Sequence, residues 1–183
     1  DLSASASQAL ATYSQGVAEA DEALLKLMRW AKKRDRETII VLFGAHLPPL
    51  GQTFVESGYM PGMVASRRAP LEVMKKEHET PLVVWSSRKG VRKNIGTISP
   101  ALLPYHVLKT AGFSDPFYTG TLGEVQKAFS VMDRHMLVAT DRKALPDWSI
   151  APNSIPDVVR DYRLLQFDMM FGQQYGRERF FPA

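Results

Sequence analysis

From Thr38 to Phe43 the chain reads Thr-Ile-Ile-Val-Leu-Phe, an unbroken apolar and β-branched run. Bounded by a helical pattern before it and a glycine after it, such a run reads as a strand buried on both faces. Gly44 stops the run and lets the backbone turn tightly. Ala45 and His46 follow just past the strand's carboxyl end, the place where open α/β sheets bind ligands. Pro48 and Pro49 stiffen the loop beyond, and Gly51 ends it.

The chain has 183 residues, enough for one domain with a substantial core. Hydrophobic residues make up 45% and charged residues 23%, the balance of an ordinary soluble globular protein. The net charge of +4 is compatible with an acidic ligand or an anionic membrane face, although most charges are scattered. Two basic clusters stand out, Lys32, Lys33, Arg34 and Arg36 at a helix end, and Arg88, Lys89, Arg92 and Lys93 beside Gly90. Each reads as solvated surface rather than as a phosphate site. The chain has no cysteine, which excludes disulfides and thiol catalysis and leaves the redox compartment unread. No apolar run reaches the roughly 18 residues of a spanning helix, and the start carries no signal-peptide pattern. The opening on Asp1, in a Ser- and Ala-rich lead, reads as a piece of something longer.

In chain order, residues 5 to 33 predict one long helix. Leu10, Tyr13, Val17, Ala20, Leu24, Leu27, Met28 and Ala31 recur at spacings of three and four. Helix followed by buried strand is half of a βαβ unit, so the expected fold is α/β with a largely parallel sheet flanked by helices. Gly58, Pro61 and Gly62 predict a loop folding over the site region, and Leu71 and Met74 a short helix over 69–78. His78, between Glu77 and Glu79, reads as a solvated helix end, since no second metal ligand is spaced to help it. Residues 81–87 predict a second strand. Ser99 as N-cap, Pro100 at the first helical position and Gly112 as C-cap frame a helix whose His106 reads as hydrogen-bonded and structural. A helix over 121–131 is expected to turn Leu122, Val125 and Phe129 inward, and 135–140 to form a short strand with a structural His135 at its edge. Residues 141–156, with Pro146, Pro152 and Pro156, read as irregular chain. From Asp157 the pattern is helical again, with Asp168 structural and paired with an Arg. The tail from Arg177 to Ala183 is basic and aromatic.

Three segments carry a family resemblance. Gly44-Ala45-His46-Leu47-Pro48 resembles the metal loop of the lipoteichoic-acid-synthase-like branch of the sulfatase and alkaline phosphatase superfamily, where the strand ends in Gly-Asp-His. Ile95-Gly-Thr-Ile-Ser-Pro100 resembles the segment that enters a helix in that branch, and Tyr162-Arg-Leu-Leu-Gln-Phe-Asp168 its carboxyl-terminal signature. The helix pattern from Tyr13 to Asp21, and the Pro81 strand ending in Trp85-Ser86, are also similar. The segments occur in the family's order. They imply an alkaline-phosphatase-like α/β fold in which residues 1–183 form the carboxyl-terminal part of the catalytic domain and the amino-terminal part is absent.

The resemblance implies a transferase that moves phosphoglycerol or phosphoethanolamine from a phospholipid headgroup to a cell-envelope glycan or polymer. It implies a Thr nucleophile, expected upstream and without counterpart here, activated by a divalent metal, Mn²⁺, Zn²⁺ or Mg²⁺. His46 corresponds to one metal ligand, and Ala45 stands where the family has the ligand Asp. One imidazole does not hold a catalytic metal, so these residues alone are expected to be inactive and metal-free, Ala45 being either an engineered change or a natural loss. The implied partners are the missing amino-terminal half, the phospholipid donor and the glycan acceptor, with no nucleic acid. The implied setting is the extracytoplasmic side of a membrane-anchored parent. Two alternatives stay open: a non-catalytic binding or regulatory remnant of the fold, and a sulfatase or phosphodiesterase acting on a soluble ester.

Overall fold

The computed structural model describes residues 1–63, 69–91, 94–113, 118–132, 137–140, 144–145 and 157–177. The chain divides into two units, residues 1–92 and 93–183, each described by itself.

The first unit opens with helix α1, Ala4–Lys32, close to the range that the apolar periodicity predicts. Ser3 caps it, its Oγ accepting from the Ala6 N–H at 3.3 Å. The same serine is tied to the short helix α2, Gln52–Glu56, by its own N–H and hydroxyl, both donated to the Glu56 carboxylate at 2.6 and 3.0 Å. Arg29 and Lys32 fall in the last turn, where cations suit the helix dipole. The apolar stripe of α1 is buried only at its ends, at Ala6 and Ala31; between them Leu10, Tyr13 and Val17 are 38–49% exposed.

Strand β1, Ile39–Phe43, follows α1, and strand β2, Leu82–Ser86, lies beside it. Their register runs from Ile39 opposite Ser86 to Phe43 opposite Leu82, so the pair is antiparallel. A two-residue strand β3, Gly90–Val91, adds to the other edge of β2, also antiparallel. Between β1 and β2 lie α2 and helix α3, Leu71–His78. Phe54, Met60, Met74, Val84 and Trp85 are buried and make the core of this unit. The Phe54 and Tyr59 rings lie 5.7 Å apart, and the Tyr59 hydroxyl donates to the Lys76 carbonyl at 3.0 Å.

The second unit begins at a 3₁₀ turn, Pro100–Leu102, running into helix α4, Leu103–Ala111. Pro104 sits in the first turn of α4, where its missing N–H costs nothing. Gly112 ends α4 at φ 88°, in the left-handed region that glycine enters without strain. Helix α5, Tyr118–Ala128, leads directly into β4, Phe129–Met132, which pairs with β5, Leu137–Ala139; β5 in turn pairs with β6, Ala144–Leu145. Helix α6, Asp157–Phe171, places Tyr162 against Leu102, Leu122 and Val125, and Val159 against Phe129 and Leu137. Gly123 lets α4 and α5 approach, since a Cβ there would lie 3.0 Å from the Tyr105 ring.

The elements are those of a mixed α/β chain, but several expectations are corrected. The strand pairings described are all antiparallel, not parallel. The reason for the first pair is that Pro81 lies at the end of β1 where Gly44 leaves it, the Gly44 N–H donating to the Pro81 carbonyl at 3.1 Å. Strand β1 is not buried on both faces: Phe43 is 60% exposed. Helix α5 ends at Ala128, and Phe129 is buried from a strand rather than from a helix. Ser99 does not cap its helix; its hydroxyl donates to the Met132 carbonyl at 2.8 Å and accepts from the Met132 N–H at 2.6 Å, docking the segment onto β4. Asp168 is structural as expected, but the bonds it makes are to backbone, the Tyr175 and Gly176 N–H groups at 3.1 and 2.8 Å. The expectations for His135, Arg92 and Lys93, for 146–156 and for the tail from 178 lie outside the described residues.

Candidate functional site

Everything at the carboxyl end of β1 is set by how Gly44 is held. Its N–H is bound by Pro81, and its carbonyl accepts from the Thr80 hydroxyl at 2.7 Å. A Cβ at position 44 would lie 2.8 Å from the Thr80 Cβ, closer than side chains pack. The glycine is therefore required by the close approach of the Thr80 side chain. Thr80 belongs to no motif; its one signal in the sequence is the following Pro81, which biases Thr80 toward extended backbone and lets it run alongside Gly44.

Ala45 and His46 follow, both exposed. The His46 Nδ1 lies 2.8 Å from the Leu47 carbonyl oxygen. A carbonyl only accepts, so Nδ1 carries a proton, and in the neutral imidazole Nε2 is the nitrogen with the lone pair. That is the protonation pattern of a histidine ready to bind a metal through Nε2, its other nitrogen oriented by a backbone carbonyl. His46 thus fits a divalent cation; the methyl group of Ala45 offers no ligand atom. Among the described residues, no group of three or more His, Asp or Glu is placed to hold a metal ion.

Two further described histidines, His78 and His106, play other roles. His78 is exposed, with Nδ1 2.8 Å from the Met74 carbonyl and 3.7 Å from the Glu77 carboxylate, and it closes α3. His106 is buried in α4, with the Tyr105 ring edge-on at 5.2 Å, and its carbonyl accepts from the Thr110 hydroxyl.

At the opposite end of β1 the hydrogen bonding is denser. The buried Ser86 hydroxyl donates to Glu37 at 2.5 Å and accepts from the Arg88 and Lys89 N–H groups at 3.2 and 3.0 Å. Lys89 Nζ lies 3.5 Å from the same carboxylate. The Ser86 bond, helped by the Lys89 and Arg88 charges against some desolvation, holds Glu37 below the usual carboxylate range.

The Sulfatase family profile matches residues 1–113, and the chain belongs to the Sulfatase family. The matched stretch contains both Gly44-Ala45-His46 and the Ile95–Pro100 segment. A protein of Rhizobium meliloti (strain 1021) that carries the name of a cyclic beta-1,2-glucan modification protein is 57% identical over 183 residues, 100% of this chain and 28% of its own length. The chain therefore spans under a third of that relative, and the relative's alignment also takes in the Tyr162–Asp168 segment. No solved structure matches the chain. Among the described residues no helix is long and apolar enough to cross a membrane.

Proposed function

We propose that this chain is the carboxyl-terminal part of the catalytic domain of a metal-dependent transferase, one that moves phosphoglycerol or phosphoethanolamine from a phospholipid to a cell-envelope glycan. The observation that carries the reading is His46, held past the carboxyl end of β1 with Nε2 left as the basic nitrogen. The name of the Rhizobium relative supports a glycan as acceptor. The rest of the domain would supply the acidic ligand and the Thr nucleophile, on the extracytoplasmic side of a membrane-anchored parent. A bound Mn²⁺, Zn²⁺ or Mg²⁺ supplies charge stabilisation at the phosphoryl oxygens. Gly44 and Thr80 fix the loop, and the Leu47 carbonyl fixes the His46 tautomer. Ala45, standing where the family pattern has Asp, leaves the metal one ligand short.

The test is Ala45→Asp in the full-length parent. Mn²⁺ affinity by calorimetry is expected to rise about tenfold or more, the scale on which even outer groups of a metal site act. Transfer of a radiolabelled phosphoglycerol headgroup to a glucan acceptor is expected to appear with it. Unchanged metal affinity in a folded variant would sink the reading. Ala45 itself favours a second reading, a glycan-binding remnant of the fold, for which the substitution gains neither metal nor transfer while glucan binding persists.

A further inference from the structure

We propose that the basic end of the β1–β2 ladder is a docking surface for an anionic phospholipid bilayer. This goes beyond the transferase reading and stands without it. In the sequence two basic clusters are some fifty residues apart; the fold joins them. The Arg88 guanidinium donates to the Asp35 carbonyl, the Ser87 N–H to the Thr38 carbonyl at 2.9 Å, and the Thr38 N–H to the Ser87 hydroxyl at 3.0 Å. Lys33, Arg34, Arg36, Arg88 and Lys89 are thereby gathered, all exposed. Their only acidic neighbours along these two turns are Asp35 and Glu37, and Glu37 is already engaged by Ser86 and Lys89.

Apolar groups stand among these cations. Arg34 lies 4.7 Å over the Trp30 ring, yet the indole is 52% exposed, and Val91 beside the Lys89 turn is 64% exposed. A soluble polyanion would meet the cations and leave the valine in water. A bilayer interface meets both: phosphate headgroups take the cations, and an indole settles at headgroup depth. The five-residue strand β1 separates this surface from His46 by about 17 Å. The surface therefore anchors the domain and is not a subsite for the reacting group.

The experiment is sedimentation of the 183-residue chain with vesicles, one set of phosphatidylcholine and one with a third phosphatidylglycerol. Binding to the anionic vesicles alone is expected, released by raising the salt, since the Debye length shrinks to about 3 Å at 1 M. Each basic residue at an anionic surface is worth about fivefold in binding. Lys33→Glu, Arg34→Glu and Arg36→Glu together are expected to weaken it by about a hundredfold or more. Lys109→Glu, Lys127→Glu and Arg160→Glu together, the same change in net charge in the other unit, are expected to leave most of it. Trp30→Ala should weaken it severalfold without altering the salt dependence. Equal loss in both triple variants, equal binding to phosphatidylcholine, salt-insensitive binding, or capture by heparin with none by vesicles would each overturn the proposal. Circular dichroism checks that the variants fold, and the wild-type salt and lipid dependence tests the idea even where one does not.

Discussion

A Cβ at position 44 would stand 2.8 Å from the Thr80 Cβ, and Thr80 cannot retreat without giving up its 2.7 Å bond to the Gly44 carbonyl. Gly44→Ala is therefore an overpacking change at the base of the His46 loop. It is expected to destabilise the chain by about 1–3 kcal/mol, read from the shift of the urea midpoint. Glu37 gives a second prediction. Its carboxyl is held low chiefly by Ser86, so its contribution to stability is present above the unfolded glutamate value of about 4.3 and is lost as pH falls through the lower folded value. In Ser86→Ala, a carbon-detected NMR titration should find Glu37 back near the ordinary value. A value that stays low would assign the shift to Lys89 and Arg88 instead.

Elements differ in how far their own sequence decided them. Helix α1 has a strong apolar period and a serine cap, and it forms over almost the expected residues. Helix α5 ends early because its last expected turn, from Phe129, is taken over by Ser99 and β5, long-range partners invisible in a local pattern. The bond from the Ser99 N–H to the Ser130 carbonyl, at 3.0 Å, belongs to the same takeover. Burial separates the helices further. Leu122 of α5 is fully buried against α6, and Leu122→Ala is expected to cost about 2–5 kcal/mol by urea denaturation. Val17, on the uncovered part of the α1 stripe, should tolerate serine within about 0.5 kcal/mol in this chain. A large loss at Val17 would show that the stripe is covered in solution.

At the scale of the whole molecule, apolar surface is left over in both units. On α1 it is Leu10, Tyr13 and Val17; on α6 it is Leu164, Phe167 and Phe171, turned away from the face that packs Val159 and Tyr162, and Met170 near the helix end. A helix apolar on both sides reads as one meant to be covered on both sides. This agrees with a chain matching 28% of its relative's length. It also sets where His46 can be tested. Exposed and bonded only to its neighbour's carbonyl among the described contacts, it should accept alanine in this chain with a stability change within about 0.5 kcal/mol. On the proposed function, a longer parent carrying Ala45→Asp is expected to lose about tenfold or more in Mn²⁺ affinity on the same His46→Ala change, by calorimetry.

The sequence by itself determined the family, the existence of α1, β1, β2, α4 and α6, and the place of Ala45 and His46 after a strand. These rest on local causes: periodicity, β-branched runs, caps and punctuating glycines. Tertiary structure alone decided that β1 and β2 pair antiparallel, that Phe129 begins a strand, and that Thr80 pins Gly44. It also decided that Asp168 holds two backbone N–H groups, and that two distant basic clusters form one surface. Each of those depends on which distant segment arrives beside a residue, and a hydrogen-bond partner fifty positions away leaves no trace in the period or composition of the stretch it joins.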